Sequence, residues 1–555
     1  MATETGTIAA PWSPPGPGFW QHDPSHAPGA PTPWFHRFNA DAMAEGMAAV
    51  LERFGAPMAG MEAKFVNGQY YRRLVPLVGA KRDLPPPPGA AVWLLSRLHP
   101  EFRRRNRRAL ATFAERRWRE PLARWETELR SQWRERNLAV QDEDVQALDD
   151  ATLAAHVERV FATTYEGHVF HFEMHGVDLG PIGDLLAHTQ RWGIPDLDVV
   201  AALEGASPAS SAAADRTAEL GALVAASGHQ PRTLDEVRAI SPAAAAALDD
   251  YLREYGWRIV TNYDVDGRVL LELPEAILAT ILAAARGPAT DSGAAAARAD
   301  AAAVNIRARL SPSDRAAFDD LLAEARGVYG LRDDNGPLTA EWPIGLLRRA
   351  LLEVGRRLVE RGALVDADHV MELLPEEVTA LLTRAEGPPA AEVAARAKAR
   401  ATQATLEPPA TLGRETPPPP MSALPAGLAR VTGAVLAAVA VIEPPAGARR
   451  ALCGTGIGRE PYRGRARVAA RPEDVLATIE PGDVLVATFT TPAYNTVLTV
   501  AGAIVVEQGG ALCHAAVMAR ELDIPAVVGA HGAMTAIPDG ALVEVDPLAG
   551  VVRVL

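Results

Sequence analysis

The chain has 555 residues, 48% apolar and 22% charged, with 55 basic against 69 acidic side chains and a formal net charge of −14. At roughly 150 residues per domain that is enough for three or four globular domains. The acidity argues against a general nucleic-acid binder, whose affinity rests on neutralising phosphates, and two cysteines, Cys453 and Cys513, are too few for a disulfide scaffold or a cysteine-rich zinc site.

Only Lys64, Lys81 and Lys398 are lysines, and none follows a glycine. A phosphate loop of the Gly-Lys type is therefore excluded. The best apolar run, Val431–Ile442, is broken by Gly433 and falls short of the roughly 20 residues a bilayer span needs. The N-terminus lacks a basic-then-apolar leader pattern. The expectation is a cytoplasmic protein that binds neither nucleic acid nor membrane.

Residues 1–39 hold eight prolines from Pro11 to Pro33 and little periodic apolar content, which predicts an extended arm. From 40 to 385 the spacing is helical. Ala40–Phe54 opens it, and Pro85–Pro88 interrupt it. Residues 91–137 interleave arginines with Glu, Trp93, Trp118, Trp125 and Trp133, which predicts two long helices with solvated charged faces and inward tryptophans. Further helices are expected at Leu153–Met174, Thr217–Ala226, Pro242–Tyr255, Pro274–Ala285, Pro312–Arg326 and Ile344–Arg361. Gly205–Ala214 and Gly287–Ala303 read as loops or weak helices. Residues 386–426, with Pro388, Pro389, Pro408, Pro409 and Pro417–Pro420, read as a semi-rigid linker. Beyond it, 427–555 read as a compact α/β module with strands at Ala466–Ala469, Val484–Ala487, Ala503–Val506, Ala526–Val528 and Leu542–Val545. The fold class is thus multidomain, a mainly α-helical domain followed by a small α/β domain.

Chemistry concentrates in Glu507–Gly529. A buried strand ends at Val506, Gly509-Gly510 turn, and a helix is expected to start near His514. There the imidazole would lie beside the N–H groups of the first helical turn, which with the helix dipole favour an anion. A phosphoryl group carried on the ring would be stabilised where it sits, and a side-chain pKa near 6.5 keeps the nucleophilic neutral ring abundant at pH 7. By itself a histidine at a helix start is more often structural, so spacing alone leaves both readings open.

The stretch Gly509-Gly510-Ala511-Leu512-Cys513-His514-Ala515-Ala516, continued by Ala519-Arg520-Glu521-Leu522 and Ile524-Pro525-Ala526-Val527-Val528-Gly529, resembles the phosphohistidine swivelling domain of the phosphoenolpyruvate-utilising enzymes. That family includes phosphoenolpyruvate synthase, pyruvate phosphate dikinase and rifampicin phosphotransferase. Thr490-Thr491-Pro492-Ala493-Tyr494 is similar to the family's Thr-x-Pro-x-aromatic turn, and Asp539-Gly540 and Val545-Asp546 to its closing strands. The resemblance implies His514 as the catalytic carrier, with Thr490, Gly509, Gly510, Cys513 and Arg520 as phosphoryl contacts. The segments Tyr251–Arg258, Tyr263-Asp264, Glu272–Pro274 and Leu352–Gly362, with Asp368–Val370 and Pro375–Glu377, resemble the helical substrate domain of rifampicin phosphotransferase-like proteins.

Those enzymes carry an ATP-grasp nucleotide domain that this sequence does not display, nor does it display the pyruvate-binding barrel. The resemblance therefore implies a phosphotransferase component with no tightly bound cofactor, supplied with ATP and Mg through a separate ATP-grasp subunit, as in phenylphosphate synthase. The acceptor would be a small organic molecule, through a hydroxyl. A rival expectation is a non-catalytic binding or regulatory protein that keeps the module for docking. Acceptor-pocket candidates are His168, His171 and His175, one helical stripe, together with Arg258 and Asp264; the Asp333-Asp334-Asn335 cluster is a weaker one. The outer histidines are two turns, about 10 Å, apart along a helix, too far to share a metal, so no metal site is expected.

Overall fold

The helix Asp150–Arg191, 42 residues long, is the axis on which the larger unit is assembled. Asp149 caps it, its carboxylate accepting the Thr152 N–H at 2.8 Å. Helices Asp41–Phe54, Pro312–Tyr329, Trp342–Glu360 and Ala426–Ile442 pack around it, so apolar positions are buried on most of its circumference. Pro208–Ser227, Pro242–Tyr255 and Pro274–Arg286 form a satellite bundle beside this body, with Leu220, Leu248 and Ile281 at its centre. The computed structural model describes all residues except 1–10, 80–86, 287–291, 416–419, 443–451, 470–474, 476–477, 491–493, 495–497 and 499.

A small antiparallel sheet takes one strand from the expected arm, two from the region that reads as helical and one from the expected linker. Its strands are β1 (Trp20–His22), β2 (Met58–Val66), β3 (Gln69–Pro76) and β4 (Thr411–Leu412), in the order β2-β3-β1-β4. Asn67 and Gly68, at φ 50° and 79°, make the β2–β3 turn, and Asn-Gly is the dipeptide best suited to two successive left-handed residues. The described part of the N-terminal arm is pinned rather than trailing: the Thr32 N–H and hydroxyl both donate to the Asp264 carboxylate at 2.6 Å.

The linker expectation requires correction. Ala390–Ala404 is a helix whose Val393 is buried. Arg396 pairs with Glu377, and Arg400 with Glu372 and Asp266. Downstream, Leu412 pairs with Trp20 across β4 and β1. Apolar and arginine positions 393, 396 and 400 share one helical face and fasten the segment to the body. The Ala426–Ile442 helix, expected within the α/β module, also belongs to the helical body, where Val431, Ala434 and Val441 join its core. Of the two stretches read as loops or weak helices, the first falls largely in the helix Pro208–Ser227 and the described part of the second in the helix Ser292–Arg309.

The C-terminal unit is a seven-stranded mixed sheet of β5 (Thr455–Ile457), β6 (Tyr462–Ala469), β7 (Val484–Ala487), β8 (Ala503–Val506), β9 (Ala526–Val528), β10 (Leu542–Asp546) and β11 (Val551–Val554). The order is β11-β10-β6-β7-β8-β9-β5, with β6 to β9 parallel and the outer strands antiparallel. Strands β7, β8 and β9 are buried at every residue, hence their unbroken apolar runs. Among the described residues no helix is long and apolar enough to cross a membrane.

Close approach at the axis makes one substitution diagnostic. A Cβ at Gly167 would lie 1.9 Å from the Thr339 carbonyl oxygen. Gly167→Ala should therefore cost about 1–3 kcal/mol through forced displacement of the facing turn, read as a lowered urea midpoint by tryptophan fluorescence.

Candidate functional site

The site lies at the carboxyl ends of two neighbouring parallel strands, where open α/β sheets usually bind ligands. Thr490 follows β7 and His514 follows β8. After Val506 the chain stays registered with its neighbour through Glu507 N–H to Ala487 O and Gln508 N–H to Thr488 O, at 3.1 and 2.9 Å. Gly509 then adopts φ 106°, and a Cβ there would meet the Cys513 side chain at 2.7 Å. Only glycine fits that turn.

The helix His514–Glu521 begins at the expected residue, with extended Cys513 as its N-cap. Its first ladder bond runs from the Val517 N–H to the Cys513 carbonyl at 3.0 Å, so the preceding N–H groups face the site outside the ladder. Ala515, Ala516 and Ala519 are buried and let the helix lie close on the sheet, while His514 is half-buried. Thr490 Oγ1 sits 2.9 Å from His514 Nδ1. With the ring neutral and Nδ1–H donating to this hydroxyl, the lone pair is on Nε2.

The helical body completes the loop. Gly510 and Leu512 donate their N–H groups to the Ile442 and Val441 carbonyls, at 2.8 and 3.2 Å, and Ala511 and Leu512 enter the main helical core. Arg520 is 8% exposed and donates to the Ala511 and Ala516 carbonyls, with Glu204 3.8 Å from its Nε. That guanidinium holds the loop before His514. Arg298 joins the same contact, through Nε to Glu204 at 3.2 Å and Nη2 to the Arg520 carbonyl at 3.1 Å. Glu521 accepts the Gly205 N–H at 3.0 Å, and burial pushes its carboxyl above the usual range. Beside these groups runs a cleft of about 210 Å³ between the two units. Glu204 and Arg298 carry no local sequence signal; they matter only because the fold brings them to Arg520.

The acceptor-pocket candidates divide into separate places. His168 is enclosed in the core, donating from Nδ1 to the Thr164 carbonyl at 2.8 Å and packed 4.9 Å from the Phe38 ring; burial pulls it down to about 4. His171 and His175 are half-buried, edge to face at 4.7 Å. The Asn335 amide oxygen accepts from Thr339, which turns its NH₂ towards His171 Nδ1 at 3.1 Å and assigns the His171 proton to Nε2. Residues Leu331–Gly336 are a helical turn rather than a plain loop. Arg258 lies over the Tyr255 and Trp342 rings at 4.4 and 5.3 Å and donates to the Glu254 carbonyl. Asp264 is occupied by Thr32. Among the described residues no three His, Cys, Asp or Glu side chains are grouped to hold a metal ion.

Residues 479–550 match the model of the PEP-utilising enzyme mobile domain, and residues 209–333 that of the rifampicin phosphotransferase fourth domain. The chain combines these two domain types. It is similar to a segment of chondramide synthase from Chondromyces crocatus, 28% identical over 580 residues, covering 97% of this chain and 14% of that protein. Rifampicin phosphotransferase from Streptomyces is 29% identical over 334 residues, 58% of this chain and 36% of its own. Phosphoenolpyruvate synthase from Aeropyrum pernix is 47% identical over 89 residues, 16% and 11% of the two chains. The chain thus spans at most about a third of these curated relatives.

Glu341, which sequence reading passed over, offers a pH test. Burial raises its carboxyl to about 7, with Arg258 opposing. The folded state therefore holds a proton that the unfolded chain, near pKa 4.3, releases. Stability should fall as pH rises from about 4.3 to 7 and then level off. Glu341→Gln should flatten that stretch of a melting-temperature profile; an unchanged slope would remove Glu341 as its source.

Proposed function

We propose that the chain carries a phosphoryl group on His514 Nε2 from a nucleotide-binding partner to the hydroxyl of a small organic acceptor held by the helical unit. The observation that carries this reading is the Thr490–His514 contact at a helix N-terminus. It is supported by the similarity of the two domains to those of phosphotransferases. In the first step the Nε2 lone pair attacks phosphorus, and the P–O bond to the nucleotide breaks with its electron pair leaving on oxygen. ATP with Mg is the substrate of that step, supplied by an ATP-grasp partner. The new phosphoryl oxygens lie towards the first-turn N–H groups, whose partial positive charge offsets theirs.

In the second step the acceptor oxygen attacks phosphorus in line, the N–P bond breaks, and its electron pair returns to Nε2. The hydroxyl proton passes to a base. His168 is a poor base because burial holds it far below neutrality. His171 presents a proton at Nε2 and suits donation to an oxygen. His175, beside it, is the base in this reading; Arg258, stacked on Tyr255 and Trp342, has no part in this step.

The test is incubation with labelled ATP and an ATP-grasp partner, followed by measurement of acid-labile phosphate. His514→Ala should abolish label and turnover with the fold intact. Thr490→Val should slow labelling several-fold, since the Nδ1–H tautomer is no longer held. His175→Ala should slow transfer to the acceptor while leaving labelling of His514 unchanged. Full turnover by His514→Ala would overturn the carrier mechanism.

A further inference from the structure

One helix of the body is apolar enough for burial and is left uncovered by the other described residues. Gly89–Leu98 is apolar along most of its length, yet Ser96 is its only buried side chain; Trp93, Leu94 and Leu98 are 49%, 52% and 64% exposed. Polar anchors fasten it, Ser96 Oγ and Arg97 Nη1 both donating to the Ala423 carbonyl at 3.3 and 2.9 Å. Ala426–Ile442, which like Gly89–Leu98 packs on the Pro100–Glu115 helix, buries Leu428, Val431 and Val441 but exposes a second stripe, Val435, Leu436 and Val439. Leu110, exposed on the adjoining Pro100–Glu115 helix, packs beside Gly427. Seven of the seventeen exposed large apolar side chains among the described residues fall on these three neighbouring helices, which is a patch and not scatter. Arg103 and Arg107, exposed on the Pro100–Glu115 helix, pair with no carboxylate among the described residues, whereas Arg104, Arg105 and Arg108 all do.

We propose that this face docks the protein that phosphorylates His514, a nucleotide-binding module presenting an apolar patch rimmed by carboxylates. The inference rests on the carrier reading. Continuity with the His514 loop argues for this occupant. The exposed stripe is on the helix whose final carbonyls, of Val441 and Ile442, receive the loop, and Val439 is one turn, about 4.5 Å, from that end. Nine residues, 443–451, separate this helix from the α/β unit, and nine residues reach at most about 30 Å. A donor seated near the end of this helix is within reach of a carrier so attached. The unpaired arginines select an acidic rim. A second copy would bring the same arginines together across a two-fold axis, and a net charge of −14 disfavours an anionic lipid surface.

The test uses the full chain with a separately expressed ATP-grasp protein, labelled ATP, and phosphoramidate as a donor that needs no docking. Leu94→Glu and Leu436→Glu alter exposed positions, and Arg103→Glu with Arg107→Glu reverses the rim. Each should lower labelling of His514 from ATP at least tenfold while leaving labelling from phosphoramidate and the melting temperature unchanged. Labelling of the variants at the wild-type rate overturns the surface. So does a wild type labelled by phosphoramidate but not by ATP and partner, although His514 chemistry then stands. Absence of label from both donors sinks the carrier reading itself. Loss of self-association in the variants, or of flotation with phosphatidylserine vesicles, would assign the face to a second copy or to lipid and likewise overturn the proposal.

Discussion

Two backbone hydrogen bonds organise the site: Gly510 and Leu512 donate to the last two carbonyls of the Ala426–Ile442 helix. A helix C-terminus leaves carbonyls that must find partners outside the helix. Here they find them in the loop that presents His514, more than sixty residues downstream by number. The loop can lie this close only because Gly509 takes a left-handed conformation and Leu512 has a core to enter. Helical body and carrier loop are therefore each other's cap, and the position of His514 in this arrangement follows from that.

Much of the architecture is legible locally. Strands β7, β8 and β9 are buried throughout, and their bounds can be read directly as unbroken apolar runs. Pro242–Tyr255 is equally plain, because Ser241 and Pro242 are an N-cap and a first-turn proline. The long axis is only half legible. Gly176, Gly180, Pro181 and Gly183 read as a stop after Met174, yet the helix runs on to Arg191. Gly176 faces Val50 and Phe54, and Gly183 faces the Ala434 backbone; tertiary crowding, not chain termination, selects small residues there. The β2–β3 hairpin is missed although Asn67-Gly68 announces it, because helical spacing on either side dominates the reading. The proline runs around 386–426 hide a helix whose Arg396, besides Glu392 on its own helix, and Arg400 reach acidic partners elsewhere in the fold.

The site divides in the same way. His514 and its glycines are legible because a contiguous motif specifies a strand, a turn and a helix start. Thr490 is legible only through resemblance, since a contact across 24 residues and two strands leaves no periodic trace. Glu204 and Arg298 are illegible: each is an ordinary surface charge until the fold sets it against Arg520. Likewise the separation of His168 from His171 and His175 is invisible in a helical stripe, because burial by Phe38 comes from another part of the chain.

The contact between the two units mixes polar and apolar groups. Among the described residues it includes two loop N–H bonds, one N–H to Glu521, one arginine to a carbonyl, a shared carboxylate at Glu204, and apolar packing through Leu273, Ala276, Ala511 and Leu512. Each hydrogen bond contributes on the order of 1 kcal/mol net, and the Arg520–Glu204 pair is largely buried on both sides, so its attraction is set against the cost of taking both charges out of water. In the proposed cycle a phosphoryl group adds about −1.5 to −2 charges at the start of the His514–Glu521 helix, where the first-turn N–H groups meet it. Glu521 closes the same helix about 10 Å further on and, through the Gly205 N–H, joins it to the helical body. Loading and unloading of His514 therefore changes the charge at one end of a helix whose other end is a contact between the two units.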